Sequence, residues 1–398
     1  MMRILYIHPF KSYGGATKSL IEMLKKFPAY KIQPVVIAPQ GEVSKAFKQV
    51  GAKVYKVNGI SQWDDTKASH YKGFRWLILL RELFYLPGSI LALIRVKSYG
   101  PFSLIHCNEI TTLIIGVLAR KIIGAPLLIH IRSLQRGKNG GIVSSWILSI
   151  LNKNADMIIA IDQAVRRTLP KYLPIKIIYN GMEIKNKANV KILKDPIFTI
   201  ATVGSLHRIK GIFELLEAAN IMRNLGLKFK IIIIGKNTHS FSGITGWIMS
   251  KLDFARDVKA ELEEYISKNH LESFIEFKDF VSDIKNIYRS IDLLCFPSLL
   301  DAPGRPVFEA ALHAVPSVVA MKKPTKDVII HGKTGLCIDS PSPQKIAKAI
   351  TFLYKNRALC RKMGTKARLF ALNRFDSEIT TSHMFNAYRT LVEKNNIR

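Results

Sequence analysis

Ser298-Leu-Leu-Asp-Ala-Pro-Gly-Arg-Pro-Val-Phe-Glu-Ala-Ala311 is the stretch on which the fold turns. The apolar run before it, Asp292-Leu-Leu-Cys-Phe-Pro297, reads as a buried strand. Gly304 and Pro306 mark a turn with proline at the first helical position, and Val307 to His313 continues as a helix. Asp301 and Glu309 therefore bracket a strand-to-helix turn, with seven residues between them. Free N–H groups at a helix start suit an anion, and Gly304 and Arg305 lie at that start. Glu309, near the first turn, can accept hydrogen bonds from a pair of sugar hydroxyls. The layout suits a phosphate beside a sugar.

The same strand–turn–helix grammar recurs outward from this stretch. Met2 to His8 reads as a strand, His8-Pro-Phe-Lys-Ser-Tyr-Gly-Gly-Ala16 as a loop, and Leu20, Ile21, Met23, Leu24 and Phe27 as the buried side of a helix. Gly14 and Gly15 place bare backbone at that helix start, where a diphosphate or sugar can approach. Strands follow at Val35–Ala38 and Lys53–Val57, an alternation that calls for parallel sheets covered on both faces. Ser103–Glu109 and Pro126–Arg132 each look like a strand ending in polar groups. Ligands sit beyond the carboxyl ends of such strands, which brings His106, Asn108, Glu109, His130 and Arg132 to one edge. Residues 155–161 and 175–181 complete the first domain. A polar, Lys-rich linker, 182–196, then leads to Ile197-Phe-Thr-Ile-Ala-Thr-Val-Gly-Ser-Leu-His-Arg-Ile-Lys-Gly211. There the loop from Gly204 to Gly211 sets Lys210 just before a helix, where a point charge can neutralise a diphosphate. At 398 residues two domains are the natural division. We place them at 1–181 and 197–375, with 376–398 a closing helix.

The net charge of +31 calls for an anionic partner, and residues 1–196 carry +20 of it, from 30 Lys and Arg against 10 Asp and Glu. A membrane surface would be drawn mainly to that half. Nucleic acid would satisfy the same charge, but no recognition motif accompanies it. The region Trp76 to Val96, interrupted by Arg81, Glu82, Pro87 and Arg95, is a poor membrane span and a fair candidate for lying on a membrane. It reads as two apolar pieces separated by a Pro-Gly break. Cys107, Cys295, Cys337 and Cys360 show neither zinc nor disulfide spacing. The chain opens on a strand rather than a secretory signal, which points to the cytosol. Arg136-Gly-Lys-Asn-Gly-Gly141 reads as a mobile loop able to close over an acceptor. The Gly-Lys-Thr at 332–334 is no P-loop, because Asp327 stands where a glycine is needed; His331–Gly335 reads as a hairpin. There is no Asp-x-Asp for a metal, and no carboxylate pair at glycosidase spacing.

The Asp301–Glu309 stretch resembles the acid, seven residues, Glu signature of family-4 retaining glycosyltransferases, and the similarity extends over nearly the whole chain. The resemblance implies a GT-B fold, two Rossmann-like doubly wound α/β domains facing a cleft. It implies transfer of a sugar from a nucleoside diphosphate sugar, with retention and without a cofactor or catalytic metal. Glu309 matches the carboxylate that holds the ribose; Asp301 stands where Glu is usual, beside the transferred sugar. His130 occupies the family's acceptor-site histidine position. Gly14, Gly15, Gly204 and Lys210 match its phosphate-binding positions. The family arginine after the first glycine is Ser205 here, and Arg208 is the substitute cation we name. The base falls to Phe280 and Val281. Residues 236–258 are an insertion relative to the family. For the acceptor we expect a glycan, held as a lipid-linked, anionic carrier at the inner face of the cell membrane and reached through His106, Glu109 and Arg132. The alternatives are a basic nucleic-acid-binding protein and a sugar-nucleotide epimerase on the same fold.

Overall fold

The computed structural model describes residues 1–67, 78–184, 197–236, 257–278 and 284–396. Phe280, Val281, Trp76 and nearly all of 236–258 lie outside the described residues. The chain divides into two compact units, Met1–Glu183 with Arg374–Arg398, and Ile184–Asn373. Among the described residues all four cysteines are free.

The first unit is a seven-stranded sheet of β1 (Met2–Ile7), β2 (Ile32–Pro39), β3 (Lys53–Val57), β4 (Leu104–Cys107), β5 (Leu127–Ile131), β6 (Met157–Ala160) and β7 (Ile175–Ile177). Its order is β3-β2-β1-β4-β5-β6-β7, and every pairing is parallel. The strands are near-continuous apolar runs because helices cover both faces. One face packs Tyr6, Leu104, Leu128 and Ile159 against Met384, Ala387, Tyr388 and Leu391 of the helix Ser377–Asn396. That helix is locked in by backbone bonds from Met182 N–H to the Phe375 carbonyl (2.7 Å) and from Ser377 N–H to the Met182 carbonyl (3.0 Å).

The second unit carries β8 (Phe198–Val203), β9 (Phe229–Ile234), β10 (Ile275–Lys278), β11 (Leu293–Phe296), β12 (Ser317–Ala320) and β13 (Gly335–Ile338). Their order, β10-β9-β8-β11-β12-β13, repeats the first six positions of the other sheet. In both, strand order reverses between two neighbours, β1 and β4 or β8 and β11, and the chain leaves a crevice beyond their carboxyl ends.

Three local readings are corrected. The Pro-Gly at 87–88 does not end a helix; one helix runs Ile78–Lys97 through Pro87. The carbonyl of Leu83 loses its proline-blocked partner on an exposed side, where water can serve it. Residues 331–335 form a tight turn, with Gly332 at φ +72° and its N–H bonded to the Gly335 carbonyl at 2.8 Å. It feeds β13, which pairs parallel with β12, so no antiparallel hairpin forms. The third concerns residues 136–141, whose first residue is tied down. Arg136 donates from its backbone N–H to the Asp65 carbonyl (3.2 Å) and from Nε to the Thr66 carbonyl (3.2 Å), and Ser144 donates to the Asp65 carboxylate.

Candidate functional site

In the second unit the loops after β8 and β11 are stitched together. The Ile209 carbonyl accepts from Leu299 N–H (2.9 Å) and Ser298 Oγ (3.2 Å). Gly211 sits at φ +73°, and a Cβ there would meet the Pro297 carbonyl oxygen at 1.8 Å. The close approach demands glycine on both counts. It also brings two helix starts to adjacent strand ends: Ile212–Asn224 after Gly211, and Arg305–Leu312 after Gly304. Neither has a side-chain cap, so their first N–H groups face outward as an anion site. Helix formation begins at Arg305, one residue earlier than the proline suggests, which puts Pro306 second. Gly304 is fixed by packing, since a Cβ would lie 2.3 Å from the Phe296 ring.

Lys210 lies in this crevice with Nζ 5.7 Å from the Phe296 ring centroid. Among the described residues no carboxylate pairs with it, and burial pushes its ammonium below the ordinary lysine value. Such an ion is costly until an anion arrives. Gly204, at φ +157°, lies beside the lysine stem, and a Cβ there would touch Lys210 Cδ and Cε at an ordinary 3.9 Å. Ser205, half-buried beside it, carries no charge. Arg208 points elsewhere. Its guanidinium grips Glu261 (Nη2 at 2.6 Å, Nε at 3.2 Å) and stacks over Phe213 at 4.6 Å.

Glu309 is clamped from two sides, by Arg305 Nε on Oε1 (2.8 Å) and by the Tyr288 hydroxyl on Oε2 (3.1 Å). Tyr288 is fully buried and stacks on His313, whose Nδ1 lies 2.8 Å from the Glu309 carbonyl oxygen. Burial, with Glu309 beside it, raises the Tyr288 hydroxyl well above its usual range. It therefore acts as a donor that fixes the carboxylate. Asp301 accepts through Oδ1 from the Lys322 N–H at 2.8 Å, bracing the loop beyond β12. No local sequence signal marks Tyr288, which reaches Glu309 only by packing.

The edge of the first unit is a buried polar network around Arg132. Its Nε donates to Asn108 Oδ1 (3.0 Å), Nη1 to Asn180 Oδ1 (2.5 Å) and Nη2 to His130 Nδ1 (3.2 Å). His106 joins His130 (3.3 Å), and Glu109 accepts from Ile110 N–H, Arg132 N–H and Ser133 Oγ. Burial raises Glu109, its hydrogen bonds opposing that, and burial with the Arg132 charge holds His106 and His130 well below 6.5. The edge expected from the sequence does gather these residues, and most of them are buried there. His106, Glu109 and His130 are 0%, 1% and 3% exposed, while Arg132 is half-buried at the strand end. His8 was missed, although it ends β1 by the same rule that finds Asn108 after β4. Gly14 and Gly15 open the helix Gly15–Leu24, exposed and uncapped, with nothing within 4 Å of a Gly14 Cβ. Among the described residues no cluster of three or more His, Cys, Asp or Glu is placed to hold a metal, and no helix is long and apolar enough to cross a membrane.

Two family models match. Glycosyl transferases group 1 covers residues 183–370, and Glycosyltransferase Family 4 covers residues 13–186. A capsular polysaccharide biosynthesis glycosyltransferase, CapM of Staphylococcus aureus, is 24% identical over 204 residues, 51% of this chain and 49% of CapM; the match thus spans about half of that relative. A glycosyltransferase of Methanocaldococcus jannaschii is 20% identical, covering 85% of this chain and 86% of its own. HepE of Anabaena, solved with UDP-glucose, superposes with a TM-score of 0.75 at 20% identity, over 98% of this chain and 100% of that one. Sucrose-phosphate synthase of Thermosynechococcus elongatus does so with a TM-score of 0.75 at 17% identity, over 99% and 100%. At these identities the superpositions establish the fold, GT-B.

Proposed function

Because the chain belongs to the group 1, family-4-type glycosyltransferases, we propose that its second unit binds a nucleoside diphosphate sugar and its first unit binds a glycan acceptor. The observation that carries the donor reading is Lys210, an ammonium with no carboxylate partner among the described residues, set between two uncapped helix starts. A diphosphate leaving group gathers charge as its bond to the anomeric carbon breaks, and donors already in place stabilise that charge most in the transition state. Glu309, held by Arg305 and Tyr288, receives the ribose hydroxyls; Asp301 stands beside the sugar. Among the acceptor-side groups Arg132, half-buried at the strand end, is the most open to solvent, with His130 beside it. We expect retention, with the acceptor hydroxyl on the face the leaving group departs from and no metal step. CapM and HepE make a UDP-sugar and a surface polysaccharide the first donor and product to try.

Helix Ile78–Lys97 supports a membrane-held acceptor. Leu80, Leu83, Phe84, Leu91 and Ile94 are 49–76% exposed on it, with Arg81, Arg95 and Lys97 on the same helix. Ile142, Val143 and Trp146 are exposed on Gly141–Asn154, and Trp146 lies 6.2 Å from the Trp63 ring. Apolar side chains among basic ones suit an anionic bilayer surface. Calorimetry against a panel of nucleoside diphosphate sugars tests the donor reading: one binder, lost in Lys210→Met, supports it, and no binder removes it. Turnover of the nucleotide sugar without an acceptor would favour an epimerase. Sedimentation with anionic vesicles tests the membrane reading, which falls if Phe84→Glu binds as wild type does.

A further inference from the structure

Hydrogen-bond directions in the first unit follow from one fact: an arginine can only donate. Because Arg132 Nε donates to Asn108 Oδ1, the amide Nδ2 faces His8 and donates to its Nδ1 at 2.9 Å. His8 therefore carries its proton on Nε2 and gives it to Thr17 Oγ1 (3.1 Å), which donates on to the Ser12 carbonyl (3.1 Å). On the other side, Arg132 Nη2 points at His130 Nδ1, which must be bare. His106 Nε2, 3.3 Å from the same atom, is then the N–H, and His106 Nδ1 accepts from the Tyr388 hydroxyl at 2.7 Å. Tyr388 in turn accepts from the Tyr6 hydroxyl at 3.0 Å. Burial and the Arg132 charge oppose protonation of His8, His106 and His130, in His8 down to about 3, so these three rings are neutral.

One proton is left over. With Nδ1 bare, His130 holds its hydrogen on Nε2, and that atom is buried with no acceptor among the described residues. The ring lines a small pocket with Ser19, Asn180, Gly181, Thr380 and Thr381. Its free volume is about 20 Å³, enough for one water, and the three hydroxyls supply the polar partners a buried water needs.

We propose that Arg132 fixes His130 as a neutral Nε2–H donor, that Tyr388 of the C-terminal helix holds His106 in the matching tautomer, and that the His130 N–H binds one ordered water beneath the helix. Tyr388 is thus a positioning residue for His106, as Arg132 is for His130. His130 gives a hydrogen bond and takes no proton, so it is not a general base. The inference stands on the first unit alone and is independent of the donor reading.

The test is a long-range imidazole ¹⁵N–¹H correlation on the full-length, histidine-labelled protein at neutral pH, with His130→Gln for assignment. His8, His106 and His130 should each show protonated Nε2 and bare Nδ1. Tyr388→Phe removes the donor to His106 and should loosen the His106 tautomer while leaving His8 and His130 unchanged, whereas Arg132→Met should mix the tautomers of His130. A crystal structure should show a water within hydrogen-bond distance of His130 Nε2, lost in Thr381→Val. An Nδ1–H or charged His130 in the wild type would overturn the proposal, as would a dry pocket or a His130 tautomer indifferent to Arg132→Met. The wild-type spectrum decides the matter even where a variant fails to fold.

Discussion

The two sheets share one topology and end it in opposite ways. Beyond β8 and β11 the loops bond to each other through Ile209, Ser298 and Leu299. Among the described residues Lys210 has no carboxylate partner, and the two helix starts have no side-chain cap. Beyond β1, β4 and β5 the polar groups bond chiefly among themselves, and neutral histidines surround a single guanidinium. The first arrangement stores unsatisfied positive potential; the second has almost none left to offer. A strand-order reversal supplies a crevice, then, but its chemistry depends on whether the loops satisfy themselves.

The sharpest way to break this contrast is Lys210→Met. Loss of one preorganised donor of this kind is worth about 100- to 1000-fold in rate, so kcat/KM for the nucleotide sugar should fall by that much. The melting temperature should hold or rise, because an ammonium uncomfortable in the free protein has gone. A small kinetic effect would mean the second crevice is as self-satisfied as the first. Gly211→Ala comes next. It forces a Cβ against the Pro297 carbonyl at positive φ and should destabilise the second unit by more than ~1 kcal/mol in denaturant unfolding. Of similar size is Asn108→Ala, which takes the donor from His8 Nδ1 and one of several acceptors from Arg132. We expect about 1–3 kcal/mol, the cost of buried groups left unpaired, read by the same unfolding.

Alkaline pH separates the crevices by sign. Lys210 has a folded-state value below its ordinary 10.5, so in the window between the two the unfolded chain binds more protons. Its contribution to stability therefore improves as pH rises, while donor affinity declines because the cation is lost. Parallel titrations of unfolding and of nucleotide binding should diverge, and parallel curves would remove Lys210 as the phosphate ligand. The smallest effect belongs to Arg208→Ala. Its half-exposed pair with Glu261 is worth about 0.2–1 kcal/mol, and donor affinity should stay within about twofold. A tenfold loss would show that Arg208 leaves Glu261 to replace the cation missing at Ser205.

Much of this was legible in the chain. Alternating apolar runs and helix patterns gave two parallel sheets, because a strand buried on both faces must be apolar throughout. The Gly204–Gly211 and Asp301–Glu309 spacings located the loops that meet in the second unit. The Pro-Gly at 87–88 misled, since breaker residues report local cost and a long packed helix tolerates one proline. The pairing of Arg208 with Glu261 was not legible, because proximity in sequence says nothing of which carboxylate lies nearby in space.

By itself the sequence determined strand identity, sheet class and the short-range placement of Lys210, Gly211 and Glu309, all set by periodicity and turn chemistry within a few residues. Only the tertiary structure decided that Tyr288 holds Glu309, that Asp301 braces a neighbouring loop, and that Tyr388 reaches His106 across 282 positions. Such pairings arise when packing closes long loops and buried polar groups must find partners among whatever the fold brings near, a condition no local pattern encodes.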